Sequence, residues 1–359
     1  MTRPASVVIN LAALKSNFQR IRQLAPRQKI MAVVKADAYG HGITRVARSL
    51  PHADAFGVAC IEEARQLRDA GIQRPIVLLE GPFDADDLVC IQSLALDIVI
   101  HHREQFEMLA AANRDQQIRA WLKIDTGMHR LGFAPEDVAE ARQRLLSYDC
   151  IGQDIQLMTH LASANDPEDA LTGHQLQTFV DCTDGMVAER SIANSAGILD
   201  WPDSHGDWVR PGLLLYGVSP NPMRDSLAEG LQPVMTFSSR LISVKQLKAG
   251  DTVGYGATWS CPEDMAIGIV AAGYGDGYPR HARSGTPMLV NGRRASMIGV
   301  ASMDMLAVDL RNVPAAKVGD PVVLWGEGLP VEEIATSAQT IPYELLCGDR
   351  KRMTFYEQD

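Results

Sequence analysis

A lysine stands directly after an apolar run near the start of the chain. The run is Ile30–Val34 and the residue is Lys35, in the segment IMAVVKADAYGHG. Five apolar residues with β-branched members predict a buried strand. An amine held among apolar neighbours can have its pKa lowered, which makes it a nucleophile and a Schiff-base former. A lone strand-end lysine more often has a structural role, so its meaning depends on the residues that surround it.

Other polar side chains follow later apolar runs in the same way. If these runs are parallel strands, their carboxyl ends meet at one face, and the side chains there converge on a single mouth. A nucleophilic lysine, a hydroxyl with glycine-flanked backbone for a phosphate, and a basic residue for a pyridine ring would together suit pyridoxal phosphate. The residues at these ends are Lys35, Tyr39, Lys123, Asp125, Arg130, His160, Asn194, Ser195, Arg210 and Gly212.

Eight apolar runs alternate with helix-like segments over the first 220 residues. Eight strands that alternate with helices predict a (β/α)₈ TIM-type barrel, although an open doubly wound sheet remains the alternative. The polar residues named above would then lie at the barrel mouth. The runs are 30–35, 55–60, 75–81, 96–102, 120–127, 155–160, 190–195 and 208–217.

The pattern changes after about residue 225. Short alternating runs and turns follow without intervening helices, and Asn291-Gly292 between apolar runs predicts a β-hairpin. The segment 219–230, with two prolines, is the expected link. We therefore predict an α/β barrel domain over 8–225 and a C-terminal mostly-β domain over 226–359. Residues 1–7 are a candidate addition to the second domain.

Composition limits the classes of function. The chain has 359 residues and a formal net charge of −10, which argues against a nucleic-acid surface. No apolar run approaches the length of a membrane span, and the first residues do not read as a signal peptide. The six cysteines are scattered, with neither a CxxC pair nor histidine clusters at ligand spacing, so we expect reduced thiols and no metal site. These features predict a cytoplasmic protein.

Several motifs, in order along the chain, resemble those of alanine racemases, and the likeness runs from about residue 4 to residue 348. The resemblance implies a pyridoxal phosphate (pyridoxal 5′-phosphate) enzyme with a barrel and a β-domain. It also implies a homodimer in which each active site uses residues of both subunits. The motifs are AVVKADAYGHG, LKIDTGMHRLGF, THLASAN, ANSAG, WVRPGLLLYG, VGYGATW, AAGYGDGYPR and SMDMLAVDL.

The resemblance assigns roles in the barrel residue by residue. Lys35 resembles the lysine that carries the cofactor in a Schiff base, and Arg210 the arginine at the pyridine nitrogen. His160 resembles an imidazole beside the ring. Arg130 resembles a residue near the substrate carboxylate, and Lys123 a lysine that is often carbamylated in this family, with a simple lysine beside Asp125 as the alternative. The phosphate-binding set implied is Tyr39, Ser195, and backbone groups at Gly212 and Leu213, and Asn194 is a further cofactor-binding residue.

The resemblance assigns further roles in the C-terminal domain. Tyr255 resembles the second catalytic base and is contributed by the partner subunit. Met303 and Asp304 come from the same partner and resemble substrate-contacting residues. Tyr274 resembles a gate on the entry path. The segment after Cys347 departs from the family pattern, since Lys351 stands where some members place another gate tyrosine.

The resulting prediction is a racemase that interconverts L-alanine and D-alanine with two bases, Lys35 and Tyr255, on opposite faces of the substrate. It would supply D-alanine for peptidoglycan or serve alanine catabolism. The nearest alternative is a broad-specificity amino-acid racemase with the same bases. A decarboxylase of basic amino acids is disfavoured because Met303-Asp304 stands where those enzymes usually have a cysteine. A cofactor carrier of the barrel alone is disfavoured by the second domain.

Overall fold

The computed structural model describes residues 3–221, 224 and 226–359. Its strands are β1 Ser6–Asn10, β2 Lys29–Val33, β3 Ala55–Val58, β4 Ile76–Leu78, β5 Asp97–Ile100, β6 Ala120–Lys123, β7 Gln156–Met158, β8 Arg190–Ser191, β9 Trp208–Val209, β10 Met235–Leu247, β11 Thr252–Val253, β12 Trp259–Ser260, β13 Met265–Val270, β14 Pro287–Val290, β15 Arg293–Ile298, β16 Leu306–Asp309, β17 Pro321–Trp325 and β18 Thr354–Gln358. Its helices are α1 Leu11–Leu24, α2 Lys35–Gly40, α3 Ile43–Ser49, α4 Ile61–Asp69, α5 Asp87–Ser93, α6 Glu104–Leu109, α7 Val138–Leu146, α8 Ala170–Cys182, α9 Ser195–Asp200, α10 Val331–Ala338 and α11 Pro342–Cys347.

Strands β2 to β9 form a closed parallel barrel. Each of the eight apolar runs contains one barrel strand, so the predicted barrel fold is confirmed. Side chains fill the barrel interior as a packed core, as expected for eight strands. This interior cluster consists of Met31, Ala55, Val77, Val99, Trp121, Met158 and Trp208.

The last barrel strand is shorter than its apolar run. The run 208–217 is strand only at Trp208–Val209, and a 3₁₀ turn occupies Leu213–Tyr216. Pro211 has no backbone N–H to donate to a neighbouring strand, and it precedes Gly212. The chain therefore leaves the sheet early and carries Arg210 and Gly212 across the barrel mouth.

A second sheet of eight strands follows the barrel. Its order is β13-β16-β15-β14-β17-β10-β1-β18. The predicted hairpin is confirmed, since β14 and β15 pair antiparallel around Asn291 and Gly292, whose φ values are 51° and 73°. Both values suit the two-residue turns that match strand twist. The C-terminal part of the chain is thus mostly β, as predicted.

The N-terminal strand belongs to this second sheet rather than to the barrel. Strand β1 pairs antiparallel with β10 and parallel with β18. Helix α1 then leads from β1 into the first barrel strand. The two ends of the chain therefore lie side by side in one sheet, and the barrel is formed by the chain between them.

Among the residues described, no helix combines the length and the apolar character that crossing a bilayer requires.

Candidate active site at the barrel mouth

Lys35 is followed by a left-handed helical turn. Strand β2 ends at Val33, and α2 begins at Lys35. Four consecutive residues, 36–39, have φ between 52° and 54°, and none of them is glycine. A left-handed conformation costs about 1–2 kcal/mol for each such residue, so contacts from elsewhere in the fold must hold it. Within the turn, the N–H of Ala38 donates to the carbonyl of Val34 at 2.8 Å.

Two carboxylates fix this turn from outside. Glu63 on α4 accepts the N–H of Ala36 at 2.6 Å and the N–H of Ala59 at 2.9 Å. Asp37 accepts the N–H of Ile43 at 2.8 Å and so joins the turn to α3. Charge-assisted hydrogen bonds of this kind are about twice as strong as neutral ones and can offset the backbone strain.

Two tyrosines support the turn from beneath. The rings of Tyr39 and Tyr216 lie 4.8 Å apart, and the hydroxyl of Tyr216 donates to the carbonyl of Val33 at 3.0 Å. The ring of Tyr343 lies 5.7 Å from that of Tyr39 on another side. Burial raises the pKa of Tyr39 far above its usual value, so its hydroxyl keeps its proton and can donate.

The hydroxyl groups of Tyr39 and Ser195 both lie close to Gly212. A Cβ on Gly212 would stand 2.5 Å from the Tyr39 hydroxyl oxygen, so only glycine fits there. The Ser195 hydroxyl oxygen accepts the N–H of Gly212 at 2.9 Å and that of Leu214 at 3.4 Å. The second amide is thus one residue beyond the predicted Leu213, whose buried side chain lines a neighbouring cavity. Hydroxyls and amides around a glycine form a suitable cradle for a phosphate.

Asn194 has a supporting position. Its side-chain amide donates to the carbonyl of Leu161 at 3.2 Å, and its side-chain oxygen accepts the N–H of Gly197 at 3.0 Å. It therefore caps α9 and fixes the position of Ser195, the first residue of that helix.

Cationic side chains gather around Lys123. This buried lysine has its pKa lowered to about 8, chiefly by burial. The positive charges of Arg210, Arg130 and Lys35 act in the same direction, and the negative charge of Glu80 opposes them. Lys123 therefore has a substantial neutral fraction near neutral pH, in which its amine is nucleophilic.

Asp125 does not neutralise this cluster. Its carboxylate accepts the N–H groups of Gly127 and His129, each at 3.0 Å, and lies 3.4 Å from the His129 ring. Among the described residues, the Asp125 carboxylate therefore contacts Gly127 and His129 and forms no ion pair with Lys123.

Arg210 is buried and held by neutral acceptors. Its guanidinium donates to the Ser191 hydroxyl at 2.6 Å and to the carbonyl of Thr159 at 2.6 Å. It also donates to Nδ1 of His160 at 3.3 Å. Burial lowers the pKa of Arg210 to about 10, which leaves it protonated at neutral pH.

His160 is neutral in this setting. Burial, and then the charge of Arg210, lower its pKa well below the usual value. Because an arginine can only donate, Nδ1 of His160 is the acceptor, and the ring proton resides on Nε2. The mouth therefore presents a neutral imidazole beside a permanent cation.

Four predicted residues lie on the C-terminal domain. Tyr255 is 70% exposed, Met303 is 50% exposed and Tyr274 is 39% exposed. Asp304 adjoins Met303 and forms an ion pair with Arg352 at 2.7 Å. Among the described residues, no hydrogen bond, ion pair or ring contact joins these four to Lys35. One chain alone therefore does not assemble the complete predicted set.

Sequence reasoning missed several residues that shape the site. Tyr216 and Glu63 hold the left-handed turn, yet they lie in an apolar run and on an ordinary helix. Only the tyrosine within LLLYG offered a signal, because a polar hydroxyl in an apolar run requires a partner. Tyr343 adjoins Tyr39, a role that its motif did not reveal.

A cavity of about 1160 Å³ opens beside the mouth. His160, Asn194 and Leu213 line it on the barrel side, and Glu333 and Tyr343 line it on the C-terminal side. Space for a small molecule therefore adjoins the cationic cluster.

The donor set fits pyridoxal phosphate. That cofactor carries a phosphate, an ionisable phenol and an aldehyde. The residues present offer a cradle around Gly212 that a Cβ would fill, a buried Arg210 with neutral acceptors, and Lys35 within the field of that cluster. An anionic group bound here would neutralise positive charge of the cluster around Lys123.

Comparisons with known proteins agree with this geometry. Residues 9–220 match the family profile "Alanine racemase, N-terminal domain", and residues 234–356 match "Alanine racemase, C-terminal domain". The alanine racemase of Halorhodospira halophila is 52% identical over 348 residues, which are 97% of this chain and 96% of that protein.

Solved structures are similar as well. The biosynthetic alanine racemase of Pseudomonas aeruginosa has a TM-score of 0.97 and 43% identity, with 100% of both chains covered. The alanine racemase of Bartonella henselae, described with covalently bound pyridoxal phosphate, has a TM-score of 0.88 and 27% identity over 99% of both chains.

Proposed function

The chain belongs to the alanine racemase family, and from this premise we propose how its residues interconvert L-alanine and D-alanine with pyridoxal 5′-phosphate. The relatives are named alanine racemases, so a broad-specificity racemase is not favoured. Both domains match the family, which disfavours a carrier built from the barrel alone.

The barrel residues hold the cofactor. Tyr39 and Ser195, with backbone groups at Gly212 and Leu213, would hold the phosphate, and Arg210 would donate to the ring nitrogen. Asn194 keeps Ser195 in place. When bound through Lys35, the cofactor supplies an electron sink that makes the Cα–H bond of alanine acidic.

Two residues transfer the proton. The amine of Lys35 holds or accepts the Cα proton on one face of the substrate, and the phenol of Tyr255 of the partner subunit does so on the other. Removal on one face and return on the opposite face inverts the carbon. Arg130 lies toward the substrate carboxylate, Met303 and Asp304 of the partner subunit contact the substrate, and Tyr274 lies on the entry path.

Arg210 and His160 restrain the chemistry. A guanidinium can only donate hydrogen bonds and keeps its proton at neutral pH, so a pyridine nitrogen held beside Arg210 would stay unprotonated. A weaker electron sink favours rapid return of the proton over decarboxylation or transamination. His160 is kept neutral by burial and by Arg210, and it keeps the guanidinium oriented.

Lys123 is suited to carbamylation. Its lowered pKa provides a neutral amine that can add carbon dioxide and release one proton. The resulting carbamate would place a negative charge among Lys35, Arg130 and Arg210, where positive charge now accumulates. It would thereby fix Arg130 toward the substrate.

We also propose a cytoplasmic homodimer with two shared sites that supplies D-alanine for peptidoglycan. The exposure of Tyr255 and Met303 on the C-terminal domain supports a shared site, since these side chains are available to a second subunit. The biosynthetic name of the Pseudomonas aeruginosa protein supports the role in supply.

The observation that carries the proposal is the cradle of Tyr39 and Ser195 around Gly212, together with the cationic cluster of Lys35, Lys123, Arg130 and Arg210. We expect Lys35→Ala to lose the visible absorbance of covalently bound cofactor and to lose racemisation of alanine. Lys29→Ala, on the exposed start of the same strand, is the control and should retain both. An unchanged spectrum in Lys35→Ala would reject the assignment.

A further inference from the structure

A buried carboxylate joins three distant parts of the chain. Asp276, in the turn after β13, has no exposed surface. Arg3 donates to both of its oxygens, at 3.0 and 2.7 Å, and Arg352 donates to one of them at 2.9 Å. The N–H of Gly273 adds a bond at 3.0 Å. Burial alone would raise the pKa of this carboxyl, but these donors hold it below its usual range, so it stays ionised.

The same arginines extend to Asp304. Arg352 donates to the carboxylate of Asp304 at 2.7 Å, and Arg3 donates to its backbone carbonyl at 2.8 Å. Two positive and two negative side chains therefore form one neutral network. We call Arg3, Asp276, Asp304 and Arg352 the arginine clamp.

The clamp holds two loops against each other. The N–H of Tyr274 donates to the carbonyl of Ser302 at 3.0 Å, and the N–H of Gly275 to that of Met303 at 2.9 Å. A Cβ on Gly273 would stand 2.2 Å from the Ser302 carbonyl oxygen. This close approach leaves the loop 302–305 with little freedom, while Met303 remains half exposed at its tip.

We propose that Arg3 and Arg352 are positioning residues for the reaction: they fix the loop 302–305 so that it enters the active site of the other subunit in the required orientation. The inference rests on the proposed shared site. Neither arginine touches the substrate. Their substitution should act in trans, on the barrel of the partner, and should leave cofactor binding in their own barrel intact.

Mixed dimers test this directly. In a dimer with one Lys35→Ala subunit, only one barrel is competent, and the Lys35→Ala subunit supplies the loop to it. Placing Arg352→Met in that loop-donating subunit should lower kcat/KM for alanine about 10- to 100-fold, because displacement of a contact by about 1 Å costs on this order. Placing it in the subunit with the competent barrel should cost far less.

Controls separate positioning from folding. Arg352→Lys should recover part of the activity, and Arg311→Met, which breaks an exposed ion pair on the same sheet, should leave activity unchanged. Arg3→Met at the chain start is the second variant if Arg352→Met does not fold. Equal losses in both placements, with unaltered cofactor absorbance, would overturn the inference.

The two proposals fail differently. Mixing Lys35→Ala with Tyr255→Phe subunits should restore activity through one intact site per dimer. Absence of activity under demonstrated subunit exchange would reject the shared site itself. Restored activity without a trans effect of Arg352→Met would reject only the arginine clamp.

Discussion

Asp97 is a carboxylate whose ionised form is destabilised by burial, and it lies at the opposite end of the barrel from the active site. It begins β5, is 9% exposed, and lies 3.5 Å from Arg119. Burial raises its pKa to about 6, although Arg119 works against the rise. A carboxyl whose folded-state pKa exceeds its unfolded value near 3.9 destabilises the fold once it ionises, so stability is lost as the pH rises through about 6.

We therefore expect Asp97→Asn to increase the free energy of unfolding above pH 6, by up to about 3 kcal/mol at pH 8. The advantage should shrink as the pH falls toward 5. Denaturant unfolding at both pH values measures it, with the exposed Asp154→Asn as control. A gain of the same size at pH 5 and pH 8 would contradict the role of ionisation.

Tyr255 should act on one face of the substrate. Its removal in Tyr255→Phe leaves every barrel residue in place, so the cofactor absorbance should persist. Exchange of the Cα proton with deuterated solvent should fall about 100-fold or more for one enantiomer, the usual size of a general acid–base effect. The other enantiomer should exchange through Lys35 nearly as before.

The control for this variant is Tyr356→Phe, an exposed tyrosine on β18. An equal loss of Cα-proton exchange for both enantiomers of alanine would argue against two bases that act on opposite faces of the substrate.

Residues at strand ends were predictable from the sequence, and their supports were not. Lys35, His160 and Arg210 follow apolar runs, and the barrel pattern places such positions at one mouth. Glu63 gave no signal, because its carboxylate binds an amide 27 residues away that only the folded chain brings near. Asp276 gave no signal either, because its two arginine partners, Arg3 and Arg352, are far from it along the chain.

At the scale of elements, the left-handed turn depends on Glu63. We expect Glu63→Ala to lower the free energy of unfolding of the holoenzyme by about 1–3 kcal/mol, because two N–H groups lose a charged acceptor. Cofactor should also be retained less well on dialysis, since the turn carries Lys35 and Tyr39. Denaturant unfolding and visible absorbance measure these two effects.

Glu62→Ala is the matched control, since it removes the same charge from the exposed side of the same helical turn. If both variants lower the free energy of unfolding and cofactor retention equally, the cause is the lost charge on the helix and not the lost hydrogen bonds to the turn.

No local sequence pattern predicts the left-handed turn at residues 36–39. The residues at 36–39 are Ala, Asp, Ala and Tyr, and chirality favours the right-handed form for each of them. Tertiary contacts override that preference here. The barrel strands were predictable by contrast, since most buried parallel strands are nearly continuous apolar runs, although β8, Arg190–Ser191, is not.

At the scale of the whole molecule, eight strand-like runs favoured a closed barrel over an open doubly wound sheet. The position of β1 was harder to predict, because its partners β10 and β18 lie far along the chain. A short alternating segment predicts a strand in a sheet, but it does not indicate which strands will pair with it.

That pairing has a consequence for synthesis. The ribosome makes β1 first and β18 last, roughly 350 residues later, which at about 5–20 residues per second is on the order of 20 to 70 seconds. All eight barrel strands emerge before either partner of β1 exists. The nascent chain therefore carries an unpaired strand, Ser6–Asn10, throughout translation of the barrel, and the second sheet is completed only after β18 has been made.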